Sequence, residues 1–119
     1  MALITYEQAA LTGLNLTLAA ATAEGDTIGY SSGAILHMNG SGVPTPHYNG
    51  VLVVVNGDST DTDVTVVTPG SAADIVVTVA AGDTAVIGPL TDALVDPADG
   101  TISVTYEKVT SLTVGAFLV

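Results

Sequence analysis

Positive charge is almost absent from this chain: of 119 residues only Lys108 is Lys or Arg, against twelve Asp and Glu, for a formal net charge of −11. Nucleic-acid affinity rests on several Lys or Arg contacts that release counterions from phosphates, so a nucleic-acid partner is excluded. Nucleotides and anionic lipids lose their usual anchor for the same reason. Cysteine is missing altogether, which removes any disulfide framework and any thiolate zinc site and leaves the redox compartment open. Long apolar runs are missing too. The purest is Val51 to Val55, far short of the roughly 18 to 20 residues of a membrane helix, so no membrane partner is expected. The start, Met1-Ala2-Leu3-Ile4-Thr5, has no positive region and meets Glu7 early, which argues against a secretory signal and for synthesis in a cytoplasm.

What the chain does have is Val, Thr, Ala and Gly, with 48% hydrophobic residues and a positive mean hydropathy. At this length one domain with one core is affordable. So apolar a chain with so few charges is expected to bury part of its surface against copies of itself or a larger assembly. The apolar residues alternate: Leu14, Leu16 and Leu18; Val64 and Val66; Ile75, Val77 and Val79; Ile102, Val104 and Tyr106; Leu112, Val114, Ala116 and Leu118. That period predicts half-buried strands. Val51-Leu52-Val53-Val54-Val55 lacks alternation and suits a central strand covered on both faces or one at a subunit contact, and Thr84 to Ile87 adds a further strand. Asn39-Gly40, Asn49-Gly50, Asn56-Gly57, Pro69-Gly70, Gly82-Asp83 and Asp99-Gly100 supply turns. The expected fold is all-β, a single antiparallel β-sandwich or jelly-roll-like domain over residues 14–119. Residues 1–13 precede it as a short helix, from the capping-box spacing of Thr5 to Gln8, or as an extended N-terminal arm.

Candidate chemistry is sparse. His37 and His47 are the only side chains that titrate near neutrality by default, and nothing in the sequence places a nucleophile and a carboxylate beside either. Gly29-Tyr30-Ser31-Ser32-Gly33 has the letters of a nucleophile elbow without the helix that must follow it. Asp58, Asp61 and Asp63 form the densest carboxylate cluster and the best candidate for a hard cation such as calcium. The spacing departs from an EF-hand loop, and a solvated hairpin loop between Val51–Val55 and Val64–Val67 is the favoured reading, with the cation site a weak candidate. Asp96-Pro97-Ala98-Asp99-Gly100 reads as turn chemistry. No enzyme, cofactor or resident metal is expected. Contact surfaces are placed instead where apolar residues fall in segments of weak periodicity: Leu3, Ile4, Tyr6 and Leu11 near the start, Val43, Pro44, Pro46 and Tyr48 in the proline loop, and Phe117, Leu118 and Val119 at the end. Lys108, the sole cation, is either in a surface ion pair, with Glu107 for example, or at a subunit contact.

From Val51 to Ala116 the order of signals is distinctive. A buried strand ends in Asn56-Gly57; an acidic loop leads to Val64-Thr65-Val66-Val67-Thr68. Val77-Thr78-Val79-Ala80-Ala81-Gly82-Asp83 runs into Val86-Ile87-Gly88-Pro89-Leu90, and Asp96 to Gly100 precedes Val104-Thr105-Tyr106 and Val109 to Ala116. This resembles small head structural proteins, decoration or minor capsid proteins, of tailed bacteriophages infecting actinobacteria. The resemblance implies a β-sandwich-like domain on the virion capsid surface that binds the major capsid protein and stabilises the shell. It carries no catalytic residues over. Self-association as a homo-oligomer, a trimer as first guess, is expected with it. A tail or head–tail joining component is the nearest alternative, and a carbohydrate- or calcium-binding β-sandwich of a bacterial surface protein a more distant one.

Overall fold

The computed structural model describes residues 2–8, 16–29, 50–98 and 100–118. Ten strands occupy them: β1 (Ala2–Gln8), β2 (Ala19–Ala20), β3 (Asp26–Gly29), β4 (Gly50–Asn56), β5 (Thr62–Val66), β6 (Ile75–Val79), β7 (Thr84–Leu90), β8 (Val95–Asp96), β9 (Thr101–Tyr106) and β10 (Leu112–Leu118). One 3-10 turn, Asp92–Leu94, precedes β8. The main path runs β6-β5-β9-β3-β1-β10-β4-β7, with β2 on β10 and β8 on β9. The result is the expected all-β single domain, a sheet nearly closed into a barrel-like sandwich.

Alternation explains how the core is filled. Val64 and Val66 on β5, Ile102 and Val104 on β9, Leu52 and Val54 on β4, and Leu112, Val114 and Ala116 on β10 are all buried. The β4–β10 register places Val54 opposite Val114 and Leu52 opposite Ala116, so one face of each strand meets its neighbour's apolar face. β4 lies between β10 and β7, one place in from the end of the path. Although its sequence does not alternate, its burial does from Leu52 onward: Leu52 and Val54 are wholly buried and Val53 and Val55 only half-buried, while at its start Val51 is buried as well.

β1 departs furthest from the simple sandwich. Ala2 to Thr5 pair in parallel with β3, and Tyr6 to Gln8 pair in parallel with β10. All the remaining ladders are antiparallel. The sheet is therefore mixed, because β3 and β10 both run in the direction of the strand laid between them. Of the two readings for the first residues, the extended one holds over 2–8 and the helical one does not. A helix there would forfeit backbone ladders to β3 and then to β10, and it would remove Ile4 from the core.

The strand expected through Leu14, Leu16 and Leu18 is also corrected over the described residues 16–18. Paired structure begins only at Ala19, which meets Val114. The Glu7 carboxylate instead holds Thr17, accepting its backbone N–H at 2.7 Å and its hydroxyl at 3.4 Å. Leu16 and Leu18 then lie over Gly115, where any Cβ would sit 2.8 Å from the Thr17 carbonyl oxygen. Glycine in β10 makes room for that overlay.

Candidate interaction surface

Three of the buried polar side chains, Asp26, Asn56 and Thr62, join elements. Asp26, at the start of β3, is 1% exposed. Its carboxylate accepts the N–H of Ala2 at 3.0 Å, the N–H of Thr22 at 3.2 Å and the Tyr106 hydroxyl at 2.7 Å, with the Thr22 hydroxyl as a further donor. Burial pushes this carboxyl's pKa up, but the donors from Thr22, Tyr106 and Ala2 outweigh it and leave the group below its ordinary value. The same contact and burial raise the Tyr106 phenol strongly. A cleft of about 150 Å³ opens beside this knot, lined by Leu3, Thr5, Thr17, Ala20 and Val114. Its one carboxylate is spent on internal donors. Asn56, also 1% exposed, does a similar job at the opposite end of the chain path: its amide donates to the carbonyls of Thr60 and Val79 at 2.9 and 3.0 Å and accepts the N–H of Asp58. β4 is thereby tied to the ends of β5 and β6.

The three carboxylates proposed for a cation do not converge. Asp58 accepts the N–H of Ser59 and the hydroxyl of Thr60; Asp61 accepts the N–H of Ala81; Asp63 accepts the hydroxyl of Thr78 at 2.6 Å. Each closes a different local turn or strand pair. Among the described residues no group of three or more His, Asp or Glu is arranged to hold a metal. Asp96 likewise caps its own turn through the N–H of Ala98. Lys108 is half-buried, and its ammonium donates to the Thr60 hydroxyl at 2.7 Å. Its backbone N–H and C=O both engage the Thr62 hydroxyl, and Glu107 accepts the N–H of Asp63. The lone cation therefore latches the β9–β10 turn to the loop before β5.

The proposed contact residues separate. Ile4 is a core residue, 9% exposed, and is withdrawn from the contact set: in β1 its side chain turns inward, a placement that weak periodicity in a seven-residue segment did not signal. Leu3 is exposed on the other side of the same strand. Tyr6 packs on the core over Gly50, and Phe117 is half-buried on the outer side of β10, opposite Val51. Leu118 is the last residue of β10, paired with Gly50. Leu11, Val43, Pro44, Pro46, Tyr48 and Val119 lie outside the described residues, as do Ser31, Ser32, His37 and His47.

Sequence reasoning missed the most exposed apolar residues. Val86 is 67% exposed, Val76 58% and Ile75 44%, and all three belong to β6 and β7, the two ends of the strand path. Both strands were legible, but which strands lie at the ends depends on pairing order. On the outer side of the β10–β4–β7 ladder, Gly115, Val53 and Val86 share one row and Phe117 faces Val51 in the next-but-one. That side is apolar and carries no charge from those residues. The sequence matches no family model and no curated protein, and the structure matches no solved structure.

Proposed function

We propose that this protein is a non-enzymatic virion structural protein, a capsid decoration protein that binds the assembled head of a tailed phage through the major capsid protein and reinforces it. The observation that carries the reading is the placement of large apolar side chains, Val86, Val76 and Ile75, in water at the two ends of the strand path of an otherwise well-packed domain. Uncovered apolar surface of this kind marks a protein that works against another protein. Asp26, Asp58, Asp61, Asp63, Asp96 and Glu107 each hold a turn or a strand pair together, which favours contact over chemistry as the function the fold serves. A charge of −11 complements a more basic shell and discourages packing onto nucleic acid. The sequence resemblance to phage head proteins supplies the kind of assembly.

The test is addition of the purified protein to heads that lack it. Saturable co-sedimentation at a copy number matching the many equivalent positions of a shell, with a rise in the temperature at which heads rupture, is the expected result. No binding overturns the proposal. Binding at a single vertex assigns the protein to the head–tail joint instead.

A further inference from the structure

We propose that β6 is a self-pairing edge: two copies of this chain join antiparallel through their β6 strands, extending the sheet across a twofold axis. The backbone directions on β5 show which groups are available. Asp63 gives its C=O to the N–H of Glu107 and its N–H to the Glu107 carboxylate, and Val67 donates to the C=O of Ser103. Residues 63, 65 and 67 thus turn their backbone toward β9, and Thr62, Val64 and Val66 turn theirs toward β6, where they oppose Val79, Val77 and Ile75. It follows that the N–H and C=O of Val76 and Thr78 point away from β5, to a side on which no strand pairs with β6 among the described residues, although β7 and β4 come near β6 without pairing.

Edge strands in folded proteins are normally guarded by charge, proline or a bulge. β7, at the other end of the path, has such guards: Pro89 lies in it, and its register against β4 shifts between Gly50 and Leu52. β6 has none. Its five residues, Ile75-Val76-Val77-Thr78-Val79, contain no charge, no proline and no bulge, and the register to β5 is unbroken. A strip whose own side chains are neutral, on a molecule of charge −11, offers little to a basic partner; the carboxylate beside it, Asp63 on β5, is turned to the Thr78 hydroxyl, so a like-charged copy can approach along the strip itself. Pairing centred on Val77 uses all four free groups, with Val76 of each copy exchanging hydrogen bonds with Thr78 of the other and the two Val77 residues facing across the axis. In that register Asp74 falls opposite Ala80 and no acid faces an acid; the Asp74 carboxylate is already turned to the N–H of Thr68 at 2.9 Å. The contact is twofold, and it takes the place of the trimer as the first self-association to look for.

Analytical ultracentrifugation of the full chain without heads is the test. A monomer–dimer equilibrium populated by about 100 μM is expected. Val76→Pro removes a donor that faces the open edge and is not used by β5, so it leaves the fold intact by circular dichroism and weakens dimerisation by about thirtyfold or more, the loss of two hydrogen bonds. Val86→Asp on β7 leaves the dimer unchanged. Because the chain has no cysteine, Val77→Cys under mild oxidation forms a disulfide-linked dimer, and Val86→Cys does not. The Cys variants decide the matter even where the proline variant fails to fold. A protein that stays monomeric throughout, a dimer indifferent to Val76→Pro, or a cross-link through residue 86 in place of residue 77 overturns the proposal. Head binding is a separate measurement, so failure of the capsid reading and failure of this contact are told apart.

Discussion

At the scale of single residues, the stability of this fold leans on Asp26. Its one side chain joins the beginning of β1, the turn before β3 and the end of β9. Asp26→Ala strands four part-buried donors at once, the N–H groups of Ala2 and Thr22 and the hydroxyls of Thr22 and Tyr106, and is expected to lower unfolding free energy by roughly 2 to 4 kcal/mol, read from urea denaturation. The carboxyl's pKa is lower in the folded than in the unfolded chain. Its contribution is therefore full above the ordinary carboxylate range, and it is lost as pH falls from about 4 through the depressed folded value. A melting temperature that declines on acidification in wild type, and declines less between about pH 5 and 2 in Asp26→Asn, is the expected pattern. Nothing in the sequence singled out Asp26. It stands in a turn-like Glu24-Gly25-Asp26 stretch, where an aspartate is usually surface chemistry. The neighbouring Gly25 was equally silent, although its φ of 97° and a Cβ position 2.7 Å from the Val104 carbonyl oxygen leave room for no other residue.

At the scale of elements, β1 carries most of the surprise. Read alone, Ala2 to Gln8 is as compatible with one turn of helix as with an arm. In the fold it is the strand through which β3 and β10 are linked. Deleting residues 2–8 is expected to abolish cooperative thermal unfolding, since it bares two inner strand edges and removes Ile4 from the core. Leu3→Asp, on the exposed side of the same strand, is expected to cost less than about 1 kcal/mol and to leave the melting curve cooperative. Truncation of this segment therefore reports on folding, and only outward substitutions such as Leu3→Asp report on contact. β5, β6, β9 and β10 were legible because each alternates in a register the pleat enforces. The Leu16–Leu18 stretch alternates too, but Glu7 and Gly115 gave it a different use.

At the scale of the whole molecule, acidity among the described residues is distributed and not concentrated into a site. Asp58, Asp61 and Asp63 stand close in sequence, and the fold sends each to a separate donor. A bound ion that stabilised only the folded state would raise the melting temperature with its concentration. Calcium at millimolar concentration and chelator are expected to give melting temperatures within about 1 °C of one another; a rise of several degrees with calcium would restore the cation-binding reading.

What the sequence by itself determined is the class of structure and the kind of chemistry that is missing. A period of two and turn residues between the runs suffice for an all-β, sandwich-like fold, and the lack of cysteine rules out a thiolate site, because these are properties of composition and local geometry. Only the tertiary structure decided which strands end the path, that β1 lies parallel between β3 and β10, and that Ile75, Val76 and Val86 remain in water. Those are consequences of pairing order, and pairing order is set by contacts between residues far apart in the chain, to which local periodicity is blind. The same alternation that buries Val79 exposes Val76, and it is the lack of a pairing strand on the far side of β6 among the described residues that makes β6 an end of the path.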